Sequence, residues 1–339
     1  MKALKITAIL LLFLLITGVS YVAVQPGSYD IHRTRTVSAP VSLIYKTVND
    51  YKKWVDWSPW KAKDPSLEFE FPDQTIGVGS HYKWTGKDGK GKMTTLATAV
   101  NNSILQELKF EQFPPSLVYW NFNYKSPQST EVTWGMRSDD VPFLLKFFAL
   151  ISGGMDRMIG PDYDQGLENL DYYLQKQMAV YSVEDNGITD YGEGFYLYLT
   201  SSVTPENIDT VMRKNYTSIY NFMAANSIRA SGKPMSIYQY RNAENGNMIV
   251  SCAVSVNQNY NIKDASGILC GYIPRTKALK TTLLGNYENL SDAWTQGYQM
   301  MNKLNLSPSS IKPFEIYITD PDETPNPADW ITELYIPLK

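Results

Sequence analysis

The run Phe314-Glu315-Ile316-Tyr317-Ile318-Thr319 carries the densest chemistry in the chain. Apolar side chains alternate there with Glu315, Tyr317 and Thr319, the period of a half-buried strand. A carboxylate and a phenol two residues apart on a strand share one face. If that face borders a cleft, a partly desolvated carboxylate attracts an organic cation while the tyrosine ring meets the apolar part of the ligand. With its pKa raised by burial, the same carboxyl could instead act as a general acid or base. On a solvated strand it would do neither, and the residues alone leave these readings open. Glu333 sits on another strand of the same region and is the weaker acidic candidate.

The remaining candidates are aromatic. The chain holds 24 Tyr, 12 Phe and 8 Trp, enough both to fill cores and to line pockets for apolar or cationic ligands. Ser236-Ile237-Tyr238 aligns on Glu315-Ile316-Tyr317 at an offset of 79 residues, which makes Tyr238 the repeat partner of Tyr317 and a candidate pocket wall. Tyr196 and Trp294 are further candidates in the same half. Trp84, Trp120 and Trp134 stand on alternating strands of the first half, where they either line a cavity or fill a core. The two histidines, His32 and His81, fall in separate predicted strands; a zinc site needs more ligands at matched spacing, so neither a metal nor a cofactor is expected. Cys252 and Cys270 are the two cysteines, and spacing leaves their pairing open. With 31 basic against 34 acidic residues and no basic block, the electrostatic footprint of a nucleic-acid partner is missing.

Three segments must position these residues. Residues 6–24 are uncharged and apolar; at 1.5 Å per residue they make a helix of roughly 28 Å, about a bilayer core. Lys2 and Lys5 precede it, so the expectation is a single-pass anchor in a bacterial inner membrane, N-terminus cytoplasmic and both folded domains periplasmic; a cleaved signal peptide is the competing reading. Residues 29–178 then read as antiparallel strands with period-two alternation, closed by apolar stretches at 143–150 and 156–177. Residues 178–186 are polar and read as a connector. Residues 179–339 read as two tandem strand-helix-strand-strand units, with helices near 205–226 and 290–304. Thr204-Pro205 supplies the start of the first helix, and a groove is expected where the units pair. The fold class is α+β, with domains at 1–28, 29–178 and 179–339.

Two stretches resemble known families. The string TVSAPVSLIYKTVNDYKKWVDWSPW, the Gly77-Val78-Gly79 turn before Tyr82-Lys83-Trp84, EVTWGM and YDQGLENLDYYL resemble the polyketide-cyclase/START-like (SRPBCC, helix-grip) superfamily over residues 31–177. That resemblance implies a helix-grip fold with a hydrophobic cavity, and it does not imply cyclase activity. Gly232-Lys233-Pro234 with Tyr238, LLGNYENL and PFEIYITDPDETPNPADWITELYIPLK look like the GyrI-like effector-binding domain over about residues 188–339. In that family an aromatic-lined pocket lies between the repeats and a glutamate on a late strand faces the ligand; the matching position is Glu315. Some members look to be hydrolases that use such a glutamate with a tyrosine, and others bind drugs or toxins.

The expected function is binding of small amphipathic or cationic organic molecules, with Glu315, Tyr317, Tyr238, Tyr196, Trp294, Trp84, Trp120 and Trp134 as ligand contacts. The alternative is a small-molecule hydrolase using Glu315 with Tyr317 or Tyr238. The expected partners are a small organic molecule and, through the N-terminal helix, a membrane.

Overall fold

The computed structural model describes residues 2–111, 113–242, 244–262 and 266–339. It divides into two compact units between Lys176 and Gln177.

The first unit begins with α1 (Lys2–Ala23). Its stretch Leu4–Ala23 is long and apolar enough, by length and composition, to cross a membrane. Strand β1 (Tyr29–Val37) follows. Pro40 then fixes an extended residue before α2 (Val41–Val48), and Trp54, Trp57 and Trp60 fall on the short helices α3 (Trp54–Trp57) and α4 (Pro59–Lys63). The latter starts on Pro59, whose missing N–H has no helical partner to lose. Six further strands alternate in burial along their length: β2 (Glu68–Glu70), β3 (His81–Gly86), β4 (Gly89–Ala99), β5 (Ser103–Phe110), β6 (Ser116–Ser126) and β7 (Ser129–Ser138). Helices α5 (Phe143–Ile151) and α6 (Met155–Met178) complete the unit. Among the described residues the strands form a seven-stranded antiparallel sheet in the order β1-β7-β6-β5-β4-β3-β2.

Helix α6 lies on this sheet through Leu167, Leu170 and Leu174, all buried, and through Tyr163, whose ring stacks on Trp134 at 4.1 Å. Gly166 faces the same indole, and a side chain there would run into it. Trp120 stacks on Trp134 at 4.4 Å, Trp54 and Trp57 meet both edge-on, and all four are at most 2% exposed. The Trp54 indole donates to the Val48 carbonyl at 2.8 Å and that of Trp120 to Gln106 Oε1 at 3.1 Å.

The second unit contains β8 (Ser182–Tyr191), β9 (Gly194–Val203), α7 (Ile208–Ala225), β10 (Ala230–Arg241), β11 (Met248–Val256), β12 (Leu269–Ile273), β13 (Thr276–Leu284), α8 (Leu290–Lys303), β14 (Phe314–Tyr317) and β15 (Ile331–Pro337). Among the described residues they build an eight-stranded antiparallel sheet, β12-β9-β11-β10-β14-β15-β13-β8. The two repeats are visible in that order: β9-β11-β10 mirrors β13-β15-β14, and the repeats join at the β10–β14 pair, where Ser236 stands opposite Glu315. The edge strands are exchanged. β8 precedes the first repeat yet pairs with β13 of the second, and β12 precedes the second yet pairs with β9 of the first. The two crossings touch, since the Glu193 amide donates to the Ile273 carbonyl at 3.0 Å. Gly192 there has φ 105°, and a side chain on it would strike the Pro274 carbonyl.

Of residues 178–186, read from sequence as a connector, 179–181 do join α6 to the next strand, while 182–186 already open β8. The strand SVEDNGITDY is polar on both faces and lies at a sheet edge, so it never shows the apolar alternation that marks a strand half-buried on one side.

Both helices cover one face of this sheet. Ile219 and Met223 of α7 pack on Leu197, Cys252 and Val254; Ala293 of α8 packs on Leu279, Leu283, Leu334 and Ile336. The opposite face carries Met235, Ile237, Phe314, Ile316 and Tyr335 with Tyr191, Tyr196 and Tyr198 against them. Cys252 and Cys270 are both free thiols.

Candidate functional site

Strand β14 is four residues long, and its alternation sends Phe314 and Ile316 to the face away from the helices and Glu315 and Tyr317 to the helix face. In register, Glu315 lies between Ser236 of β10 and Leu334 of β15, so its neighbours on that face are the central residues of both repeats. Tyr238 sits two residues beyond Ser236. Helix α8 brings Trp294 down from above, because Trp294 belongs to its buried stripe with Ala293, Gly297 and Met301.

The carboxylate of Glu315 is completely buried. The Trp294 indole N–H donates to its Oε1 at 2.6 Å and the Tyr317 hydroxyl to its Oε2 at 2.9 Å. The Tyr238 hydroxyl is a third donor that stabilises the charge. Tyr317 Oη also lies 2.9 Å from Ser236 Oγ, which in turn is 3.0 Å from the hydroxyl of Tyr216 on α7; that hydroxyl donates to the Met235 carbonyl at 2.7 Å. Rings close around this network. Tyr238 meets Trp294 edge-on at 5.6 Å, and Tyr287 meets Tyr317 edge-on at 5.4 Å while resting on Trp330 at 4.6 Å.

Burial raises the Glu315 pKa, and the Trp294, Tyr238 and Tyr317 donors, followed by the positive charge of Arg241, pull it back down. Burial together with the nearby carboxylate drives the Tyr238 and Tyr317 phenols well above their ordinary value. They therefore stay protonated and act as donors. Among the described residues no lysine or arginine forms an ion pair with Glu315. The result is a single acidic group under neutral aromatic rings, an arrangement that in its ionised form suits a cation with an apolar body. In this state the space over the carboxylate is occupied by the side chains of Trp294, Tyr238 and Tyr317.

The structure thus brings together Glu315, Tyr317, Tyr238 and Trp294. It separates Tyr196 from them. Leu197 points under α7, so Tyr196 stands on the opposite face, where its ring covers Gly271. Glu333 is also on that opposite face, held by Lys280 at 2.6 Å and by the Tyr335 hydroxyl at 2.7 Å. Trp84 belongs to the first unit and covers Gly91 on the neighbouring strand. Trp120 and Trp134 are packed into the core of the first unit, where Tyr163 of α6 stacks on Trp134 and Trp134 in turn on Trp120, rather than facing a gap. Sequence reasoning did not single out Tyr216, Tyr287 or Ser236. Tyr216 reads as one more apolar position of a helix stripe, and Tyr287 lies on a single 3-10 turn before α8, which has no period to detect.

A family model described as the GyrI-like small molecule binding domain matches residues 195–339. Among solved structures, the crystal structure of the EcmrR C-terminal domain aligns at 18% identity and TM-score 0.41, covering 47% of this chain and 98% of that one. The cryo-EM structure of the EcmrR–DNA complex in EcmrR-RPo aligns at 17% identity and TM-score 0.42, over 58% of this chain and 83% of that one. Protein CV1439 from Chromobacterium violaceum aligns at 15% identity and TM-score 0.33, over 42% and 95%. No curated protein matches the chain. The C-terminal part is therefore a GyrI-like domain of small-molecule binding type. One expectation is corrected: EcmrR is solved in complex with DNA, and the placement of both folded domains in the periplasm beneath an inner-membrane anchor is withdrawn.

Proposed function

We propose that the second unit binds a small amphipathic organic cation, with Glu315 supplying the charge and Tyr317, Tyr238 and Trp294 the aromatic walls. The observation that carries this reading is a fully buried carboxylate surrounded by neutral donors with no cation paired to it. A buried acid without an opposite charge is costly, and a cationic ligand is the partner that would relieve the cost. The match to a small-molecule binding family supports ligand binding in general, and the aromatic cage around one acid supports the cationic class.

The test compares benzoylcholine with 3,3-dimethylbutyl benzoate, its neutral isostere in which carbon replaces the ammonium nitrogen. Isothermal titration calorimetry is expected to show the cation bound at least tenfold more tightly; equal affinities overturn the proposal. The hydrolase alternative draws no such support. Tyr317 and Tyr238 hold their protons more firmly than a free phenol, which is the reverse of what a nucleophile or a base requires. For the first unit we propose the helix-grip fold, on the basis of its antiparallel sheet and the long helix α6 packed across Trp134.

A further inference from the structure

Among the described residues, three buried side-chain polar atoms have no hydrogen-bond partner: the indole nitrogens of Trp57 and Trp134 in the first unit, and Thr332 Oγ1 in the second. Thr332 is completely buried. It lies on β15 directly opposite Tyr317, and residues paired across an antiparallel ladder point to the same face. That face is the one that carries Glu315. The Thr332 side chain thus neighbours that of Tyr317 on this face, with Glu315 its diagonal neighbour at about 7–8 Å between backbones. The polar groups of the network around Glu315 are engaged: Ser236 by Tyr216 and Tyr317, Glu315 by Trp294 and Tyr317, and the Tyr216 hydroxyl by Met235. A buried hydroxyl left unpaired is disfavoured, whereas a valine of the same shape would be tolerated without cost.

We propose that Thr332 is a ligand contact, and that the site selects organic cations bearing a hydrogen-bond acceptor (an ester, amide or ketone oxygen) a few bonds from the positive charge. This rests on the reading of Glu315 as the cation anchor and adds a second point of recognition to it. Once Trp294 and Tyr238 swing off the carboxylate, the ammonium lies against Glu315 beneath their rings, the chain runs across Tyr317, and the acceptor oxygen takes the Thr332 proton. A ligand that places only hydrocarbon beside Thr332 leaves the hydroxyl unpaired and forfeits that part of the affinity, so the threonine discriminates between cations of equal size and charge.

The test uses the full chain and two cations that share the ammonium, the phenyl ring and the length of the spacer: benzoylcholine, and trimethyl(4-phenylbutyl)ammonium, in which methylenes replace the ester. By calorimetry the wild type is expected to bind benzoylcholine about tenfold more tightly, the size of one hydrogen bond. Thr332→Val is expected to abolish that preference by weakening benzoylcholine alone, to leave the phenylbutyl cation unchanged, and to keep or raise the thermal midpoint. Thr332→Ser, which retains the hydroxyl, is expected to restore the preference. The inference is overturned if Thr332→Val keeps the wild-type preference, weakens both cations alike, or fails to fold while Thr332→Ser leaves the preference where Val would. The cation reading fails separately: it falls if Glu315→Gln does not narrow the gap between benzoylcholine and 3,3-dimethylbutyl benzoate. That pair differs at the nitrogen and the first pair at the ester, so the two failures are told apart. A wild type that binds none of the three compounds overturns both.

Discussion

Replacing Glu315 by glutamine removes one charge and keeps the shape of the side chain. A unit positive charge held about 4 Å from the carboxylate in surroundings of effective dielectric about 20 is attracted by about 4 kcal/mol. Part of this is offset by the water stripped from the cation on entering the buried site. A net loss of about 2–3 kcal/mol remains, or roughly 30- to 150-fold in affinity for benzoylcholine. The neutral 3,3-dimethylbutyl benzoate should stay within about threefold. The free protein should tolerate the change: the amide oxygen can still accept from Trp294, the Tyr317 hydroxyl can turn from donor to acceptor, and an unpaired buried charge is gone. Thermal unfolding of the variant is therefore expected at or above the wild-type midpoint. Calorimetry at pH 8, where the wild-type carboxyl is most fully ionised, gives the clearest contrast. Equal losses for the cation and the neutral ester would refute the electrostatic reasoning, and a collapsed midpoint would show that Glu315 is a structural hub instead.

Other outcomes follow from the same geometry. Glu315 is raised in the folded protein, so the native state holds its proton where the unfolded chain has lost it. The stability from this group is complete below the ordinary carboxylate range and declines as pH rises through the raised folded value. Cation affinity runs the opposite way and increases with pH over that window; thermal midpoints and titrations at several pH values check both signs, and Glu315→Gln should flatten both. Trp294→Phe removes a donor to a buried carboxylate and should weaken folding by about 1.5–3 kcal/mol, measured by urea denaturation. Trp134→Ala removes a fully buried indole stacked between Trp120 and Tyr163 and should cost about 3–5 kcal/mol, read from the first unit's unfolding transition. Gly192→Ala combines a disfavoured φ with a clash on the Pro274 carbonyl and should cost about 1–3 kcal/mol, seen as a lowered thermal midpoint.

Much of the second unit was legible because its repeats carry period-two and period-3.6 patterns in the same order. Glu315 and Tyr317 were placed on one face by alternation alone, and Tyr238 by its repeat partner. Alternation does not say which face the helices will cover, and on β9 it offers little help: Leu197 is apolar on one side and Tyr196 and Tyr198 are aromatic on the other. Tyr196, a further aromatic candidate from sequence, stands on the face opposite Glu315. Trp120 and Trp134 were read as either lining a cavity or filling a core, and both are fully buried. Whether an inward indole lines or fills space depends on how near the covering helix comes, and Gly166, which lets α6 close on Trp134, gives no periodic signal. Thr332 was invisible in sequence because what distinguishes it, a missing partner, is a property of its surroundings.

The exchanged edge strands bear on how the second unit can be made and handled. Each repeat borrows its outermost strand from the segment that precedes the other, so neither repeat is a self-sufficient folding module. β8 cannot dock until β13, about ninety residues later in the chain, is in place, a long-range closure that slows assembly. A fragment trimmed to begin at residue 195, where the family match starts, would lack β8 and leave the backbone donors and acceptors of β13 bare. An exposed strand edge of that kind is a template for joining another chain. A fragment that retains residues 177–194 keeps the sheet closed by its own strand.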